Sequence, residues 1–147
     1  MSNEDNKIRI LMAEDDSDDR LLFQDALEEI RFGNHIDYVE NGQELLDYLN
    51  RIGKYENLAG TPLPGLILLD LNMPIKDGRE ALEEIKQTPE LKRVPIVVLT
   101  TSSADEDVIK SYDLGVNSFI TKPVTFESMV HAVQTVTDYW FQVVRKP

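Results

Sequence analysis

The stretch Leu66 to Gly78, LILLDLNMPIKDG, decides the fold. Its first four residues are all apolar. They are too few to cross a membrane and too uniform for a strand with one solvent-exposed face, so they predict a strand buried on both faces. The run ends in Asp70, and turn signals follow in the last six residues of the stretch. A carboxylate at the carboxyl end of a buried parallel strand lies where α/β sheets bind ligands. On this segment alone, Asp70 could instead be a helix N-cap or a turn residue.

Apolar runs and helical spacing predict the elements on either side. Strands are expected at residues 8–13, 35–39, 94–99 and 117–120, and the segment Gly53 to Gly65 is expected to be a loop. Five helices are expected. The first runs from Ser17 or Asp18 to a stop at Gly33, the second follows an Asn41-Gly42 turn and reaches Ile52, and the third follows Gly78 and ends at Thr88-Pro89. The fourth runs from Ser102 to Asp113, and the fifth covers residues 125–144. Five strands alternating with five helices predict an α/β fold with a parallel sheet covered on both faces. If strand 1 lay beside strand 3, Asp15 and Asp70 would meet at the switch point of the sheet.

Composition narrows the class of protein. A chain of 147 residues with 41% hydrophobic content suits a single domain, residues 1–147, with a loose acidic N-terminus over residues 1–6 and no linked output domain. The absence of cysteine excludes disulfides and thiol chemistry and fits a cytoplasmic protein. A formal net charge of -12 disfavours direct nucleic-acid or membrane binding.

Polar side chains stand at the carboxyl ends of four predicted strands: Glu14 and Asp15, Asp70, Thr100 and Lys122. Carboxylates that close repel one another unless they take up protons or hold a hard cation. Oxygen ligands from Glu14, Asp15, Asp70 and the Asn72 carbonyl suit Mg²⁺.

A carboxylate beside Mg²⁺ can attack a phosphoryl group and form an acyl phosphate. We therefore assign Asp70 as nucleophile and phosphoacceptor, Thr100 as a hydroxyl donor to the phosphoryl oxygens and Lys122 as their counter-ion. Less specific interpretations exist for each: the acids of Glu14 to Asp19 as a helix-start charge run, Thr100 as a helix cap and Lys122 as a surface lysine.

Rival functions lack necessary residues. A phosphatase with an aspartate nucleophile would need a second acid two residues later, where Asn72 stands. An electron carrier of flavodoxin type would need a phosphate cradle where Glu14 to Asp19 place negative charge. No glycine-rich nucleotide motif occurs. A scaffold that never takes up phosphate remains open, and incubation with a small phosphodonor and Mg²⁺ separates it.

Four motifs in order, ILMAEDDSDD, LILLDLNMPIKDG, VPIVVLTT and NSFITKPV, resemble the receiver domains of two-component response regulators over about residues 7–135. The resemblance implies a doubly wound, flavodoxin-like sheet of order 2-1-3-4-5, Mg²⁺, and transfer from a sensor histidine kinase to Asp70. It makes Glu14 and Asp15 the acidic pair, Thr100 and Phe119 the switch residues, and Lys122 the active-site lysine before a cis Pro123. Such a protein is a signalling phosphoacceptor rather than an enzyme acting on other substrates.

The loop at Gly53 to Gly65 and the tail Tyr139-Trp140-Phe141 resemble single-domain regulators paired with phytochrome kinases. That resemblance implies a phytochrome as kinase and a homodimer through the fourth helix, the fifth strand and the last helix. The tail could instead fold back on its own domain.

Overall fold

The computed structural model describes residues 9–33, 36–71, 73, 75–76, 78–100, 115, 118–123 and 125–138, with Thr100, Ser118 and Phe119 described by their backbone alone. The expected helix from Ser102 to Asp113, the Asn72 carbonyl, the N-terminal residues 1–6 and the tail after Asp138 therefore lie outside the described residues.

The centre of the molecule is a parallel sheet with strand order β2-β1-β3-β4-β5. This order and the α/β class confirm the sequence-based prediction. The strands begin and end within two residues of the predicted positions. Their bounds are β1 (Ile10–Ala13), β2 (Ile36–Val39), β3 (Leu66–Asp70), β4 (Ile96–Thr100) and β5 (Ser118–Thr121).

Helices cover both faces of the sheet. They are α1 (Ser17–Glu29), α2 (Gly42–Asn50), α3 (Gly78–Gln87) and the C-terminal helix (Phe126–Asp138), with a short 3₁₀ helix over Gly53–Leu58. The described part of the C-terminal helix covers only the first portion of the predicted 125–144 range. Within the described ranges, no helix is long and apolar enough to cross a membrane.

Side chains set the start of α1 and α2. Asp16 caps α1 by accepting from the backbone amides of Asp18 and Asp19, and Asn41 caps α2 by accepting from Glu44. Glu44 in turn accepts from the Glu40 amide at 2.7 Å, which completes a reciprocal capping arrangement. The expected Asn41-Gly42 turn is therefore a helix cap. Helix α1 begins at Ser17, directly after Asp16, which helical periodicity did not identify as the capping residue.

Hydrophobic residues form a core on both sides of the sheet, because successive side chains of a strand point to opposite faces. On β3, Ile67 and Leu69 pack with α2 and α3. Leu66 and Leu68 pack with α1 and the C-terminal helix. All four side chains are buried, which is the physical reason that β3 reads as an unbroken apolar run.

The segment expected to be a loop contains the 3₁₀ helix Gly53–Leu58. Before it, α2 ends at Asn50, and Arg51 takes a left-handed conformation with φ of 58°. Ile52, expected on the buried face of α2, is half exposed because it follows this reversal. In the same way α1 ends at Glu29, with Arg31 left-handed, rather than at Gly33.

Candidate functional site

The register of the sheet brings two acids side by side. Ala13 of β1 pairs with Leu69 of β3, so the next residues, Glu14 and Asp70, stand at the same edge. Both side chains are buried, at 0% and 4% exposure. This edge, where parallel strands end, is the ordinary ligand-binding position of α/β sheets.

Lys122, one residue past the last residue of β5 that pairs with β4, reaches this edge from the other side. Its Nζ atom lies 2.5 Å from Glu14 Oε1, 2.8 Å from Asp19 Oδ2 and 3.2 Å from Asp70 Oδ2. The bond to Asp70 is a buried hydrogen bond in which the ammonium donates. Burial alone would lower the pKa of Lys122, but the carboxylates of Asp19, Glu14 and Asp70 outweigh it and raise that pKa above its ordinary value. Lys122 is therefore a permanent cation in this site.

Glu14 is the acid most affected by its surroundings. Burial raises the pKa of its carboxyl to about 7, the Lys122 ammonium lowers it in part, and the neighbouring Asp70 raises it further. Its Oε1 atom is fully buried and has no partner in hydrogen-bond geometry among the described residues. The 2.5 Å contact with Lys122 is thus an ion pair that leaves acceptor capacity unused.

The acidic groups fit a divalent cation. Glu14, Asp15 and Asp70 each offer a carboxylate oxygen, and these atoms lie within 4.8 Å of one another. Hard oxygen donors, two of them buried and one exposed, match the preferences of Mg²⁺ and Mn²⁺. One ammonium does not balance three carboxylates this close together, which is a second reason to expect a divalent cation here.

The backbone around the acids is held from several directions. Arg20 of α1 donates to the Glu14 carbonyl oxygen at 2.7 Å, and the Glu14 amide donates to Val39 at 2.9 Å. On the other side, Gly78 donates to Leu71, and a Cβ at Gly78 would lie 2.5 Å from the Asp70 carbonyl oxygen. Hydrogen bonds and close packing therefore hold the backbone that carries the two buried acids.

Of the residues singled out from sequence, the structure brings Glu14, Asp15, Asp70 and Lys122 together. Thr100 ends β4, and Phe119 pairs with Val98 through the backbone, but their side chains, like the whole of Asn72, lie outside the described residues. The expected cis bond before Pro123 is wrong: the described residues contain no cis peptide. A trans bond is the commoner state of such linkages.

Sequence reasoning missed Asp19. It was seen only as one of five acids after β1, and adjacent helical residues point about 100° apart. Asp19 faces Lys122, whereas Asp18 is exposed. The signal that could have found it is its place three residues after the capping Asp16, on the inner side of the first turn.

Comparison with known families decides the identity of the fold. Residues 10–134 match the family model for the response regulator receiver domain. The chain belongs to this family. This match confirms the resemblance drawn from the four sequence motifs. That resemblance implies a Mg²⁺ site, and the acidic cluster lies where the site is expected.

Individual relatives cover the chain almost completely. Response regulator Rcp1 of Synechocystis sp. is 43% identical, with 100% of this chain and 99% of the relative aligned. The structure of its Mn²⁺-bound form has a TM-score of 0.84 and covers 95% of this chain and 99% of that one. The phosphorylated cyanobacterial phytochrome response regulator RcpA is 40% identical, with a TM-score of 0.85 over 95% of this chain and 97% of that one.

A third similar structure covers somewhat less of the chain. The bacteriophytochrome response regulator AtBRR is 41% identical, with a TM-score of 0.74, and covers 87% of this chain and 91% of that one. These similarities place the chain among receiver domains that resemble phytochrome response regulators.

Proposed function

We propose that this protein accepts a phosphoryl group on Asp70 from the phosphohistidine of a sensor kinase. The observation that carries the proposal is the buried Asp70 carboxylate at the end of β3, with the Lys122 ammonium at 3.2 Å and two further acids beside it. In the transfer, an Asp70 oxygen forms a bond to phosphorus as the phosphorus–nitrogen bond breaks. The electron pair returns to the imidazole nitrogen, which takes up a proton.

The surrounding groups have separate roles in this proposal. Glu14, Asp15, Asp70 and the Asn72 carbonyl would hold Mg²⁺, which when bound neutralises charge on the phosphoryl oxygens. Lys122 supplies a fixed positive charge to those oxygens, because its carboxylate partners keep it protonated. Thr100 donates its hydroxyl to a phosphoryl oxygen. Similarity to the Mn²⁺-bound relative supports a divalent cation here.

Replacing Asp70 by Asn tests the assignment, because the amide has nearly the same shape but is a poor nucleophile. After incubation with acetyl phosphate and Mg²⁺, we expect the wild type to gain the mass of one phosphoryl group and Asp70→Asn to gain none. Asp25→Asn, an exposed acid on α1, is the matched control and should be phosphorylated like the wild type. A phosphoryl increment that persists in Asp70→Asn would remove the central assignment.

We propose a phytochrome histidine kinase as the partner. The support is similarity to RcpA and AtBRR, both described as phytochrome response regulators. Autophosphorylated phytochrome kinases should transfer their label to this protein faster than unrelated sensor kinases do. Equal transfer from both groups would argue against this partner.

We propose that the protein is located in the cytoplasm, which cell fractionation tests.

The output of phosphorylation is proposed to be a change in surface contacts rather than catalysis on another substrate. A phosphoryl group adds nearly two negative charges and three acceptors, which can draw Thr100 inward and free space for the Phe119 ring. In this proposal Phe119→Ala takes up phosphate normally but no longer changes partner or dimer affinity. Normal coupling in that variant would make Phe119 an ordinary core residue.

We also propose that residues 1–147 form one receiver domain, whose last helix, residues 125–144, adds a homodimer contact. The described part of that helix packs on α1 through Met129 and Val133, and His131, Gln134 and Thr135 of the helix are exposed. A chain ending at Asp138 should sediment as a monomer at concentrations where the full chain is a dimer. Unchanged sedimentation would exclude the tail as the contact.

A further inference from the structure

Asp19 is a carboxylate in contact with the active-site lysine that the phosphoacceptor chemistry does not require. Its Oδ2 atom lies 2.8 Å from Lys122 Nζ, closer than the 3.2 Å between that nitrogen and Asp70. The side chain of Lys122 is 8% exposed and that of Asp19 is 31% exposed. The contact is therefore made at the inner rim of the site, where solvent screens charge only in part.

The position of Asp19 is built into the start of α1. Asp16 caps the helix through the amides of Asp18 and Asp19, at 2.8 and 3.3 Å. One residue on, Arg20 is fixed by its hydrogen bond to the Glu14 carbonyl. With the backbone held on both sides, Asp19 has little freedom to leave Lys122, and Asp18 in the same turn is exposed.

The three N–H donors of the Lys122 ammonium face three carboxylates, so a phosphoryl oxygen must displace one of them. Glu14, Asp19 and Asp70 all contact the ammonium, and Glu14 and Asp70 are also needed by a cation. Asp19 differs from these two, because it is not one of the three residues whose oxygens cluster for a metal. A cation held by Glu14 and Asp70 would therefore leave Asp19 as the carboxylate available to Lys122.

We propose that Asp19 is a positioning residue that holds the Lys122 ammonium toward α1 between phosphorylation events and competes with the phosphoryl group for it. This inference rests on the proposed role of Asp70 as phosphoacceptor. A phosphoryl group on Asp70 brings its oxygens to the other side of the ammonium, so Lys122 must give up part of its contact with Asp19. Asp19 thereby restrains the reaction that Lys122 assists.

The experiment compares three variants with the wild type in phosphorylation by acetyl phosphate and Mg²⁺. Asp19→Asn removes the competing charge with little change of shape. Asp18→Asn makes the same charge change on the exposed side of the turn, and Asp19→Glu restores a carboxylate. We expect Asp19→Asn to raise the maximal phosphorylation rate about two- to fivefold, the range for a partly exposed ion pair, with little change in donor half-saturation. Asp18→Asn and Asp19→Glu should stay near the wild-type rate.

A second measurement needs neither phosphate nor Mg²⁺. The ¹⁵Nζ resonance of Lys122 should shift in Asp19→Asn, stay in place in Asp18→Asn and return toward the wild-type position in Asp19→Glu. Thermal unfolding of each variant shows that the fold is kept.

An unmoved Lys122 resonance, an unchanged rate in Asp19→Asn, or a slower one would each overturn the inference. If the wild type itself takes up no phosphoryl group, the proposed function fails, and the Lys122 resonance alone decides whether Asp19 holds the ammonium.

Discussion

At the scale of single residues, Glu14 carries the clearest energetic cost in the site. Its carboxyl is fully buried, and burial raises its pKa to about 7. In the unfolded chain the same group has a pKa near 4.5. The folded state therefore holds a proton on Glu14 that the unfolded state releases between these two values. Stability from this group is complete below pH 4.5 and is lost as the pH rises through about 7.

We predict that Glu14→Gln reverses this loss in Mg²⁺-free buffer. Near pH 5 the variant and the wild type should differ little, because folded Glu14 is protonated and only the smaller part of the stability from this group has been lost. At pH 8 the variant should be more stable, on the order of 3 kcal/mol from the size of the pKa shift. Urea unfolding followed by circular dichroism at both pH values measures the difference. A gap of equal size at pH 5 and pH 8 would show that Glu14 titrates normally.

The sequence predicted those functional residues whose positions are set by the ends of the strands. Glu14, Asp70 and Lys122 follow apolar strands, so the expected alignment of strand ends was enough to bring them together. Asp19 precedes the buried Phe23 by four residues and therefore lies on the same side of α1. The spacing did not indicate that Lys122, far away in the sequence, would contact it.

At the scale of elements, the start of α2 is packed directly on the segment between β3 and α3. The Gly42 amide donates to the Lys76 carbonyl at 2.8 Å. A Cβ built at Gly42 would lie 2.2 Å from that same oxygen, which is a backbone atom and cannot swing away. Lys76 is itself held by an ion pair with Glu84 of α3. The two elements therefore fix each other at one glycine.

We predict that Gly42→Ala destabilises the protein by at least about 2 kcal/mol, because overpacking forces the backbone apart. Gly33→Ala is the matched control, since no atom lies within 4 Å of its Cβ position, and it should stay within about 0.5 kcal/mol of the wild type. Chemical denaturation of the three proteins provides the comparison. Equal midpoints for Gly42→Ala and the wild type would show that the segment is free to move.

Irregular segments were the elements that the sequence predicted least well. Glycine and proline spacing marked Gly53 to Gly65 as a loop, but a side chain outside the segment organises it. The Arg51 guanidinium donates to the Tyr48 carbonyl at 2.7 Å and to the Pro62 carbonyl at 3.0 Å. It also lies 5.2 Å from the centre of the Tyr48 ring. Contacts of this kind leave no periodic pattern in the sequence, whereas the buried helices and strands do.

At the scale of the whole molecule, excess negative charge and the acidic site act together. The 27 acidic residues outnumber the 15 basic ones, so self-repulsion opposes the compact state. General screening by salt should relieve part of this repulsion. A bound divalent cation should relieve more, because it acts where three carboxylates lie together.

We predict that MgCl₂ raises the unfolding temperature more than NaCl at the same ionic strength. At an Mg²⁺ concentration of 100 times the dissociation constant, binding adds about 2.7 kcal/mol, which corresponds to about 5 °C or more for a domain of this size. Asp15→Asn should lose the Mg²⁺-specific part and keep the response to NaCl. Differential scanning calorimetry separates the two contributions. Identical effects of both salts on the wild type would argue against a cation at this cluster.

The topology of the whole sheet was predictable because the sequence alternates strands and helices and because both faces are covered. The motifs that resemble the receiver family then fixed the strand order, which alternation alone left open. The length of the C-terminal helix beyond Asp138 remains a prediction.

Ile75, in the segment after β3, has a branched side chain on backbone that is normally reserved for glycine. Its φ is 66°, and the side chain is 84% exposed. A residue of this kind in the left-handed region carries a penalty of about 1–2 kcal/mol, and so little of its surface is covered that burial returns almost nothing. Asparagine tolerates this conformation, so Ile75→Asn should raise the urea midpoint by about 1 kcal/mol in equivalent free energy. Ile75 therefore lowers the stability of the protein, and a single substitution would remove this cost. The strained residue lies a few positions after Asp70, the proposed phosphoacceptor.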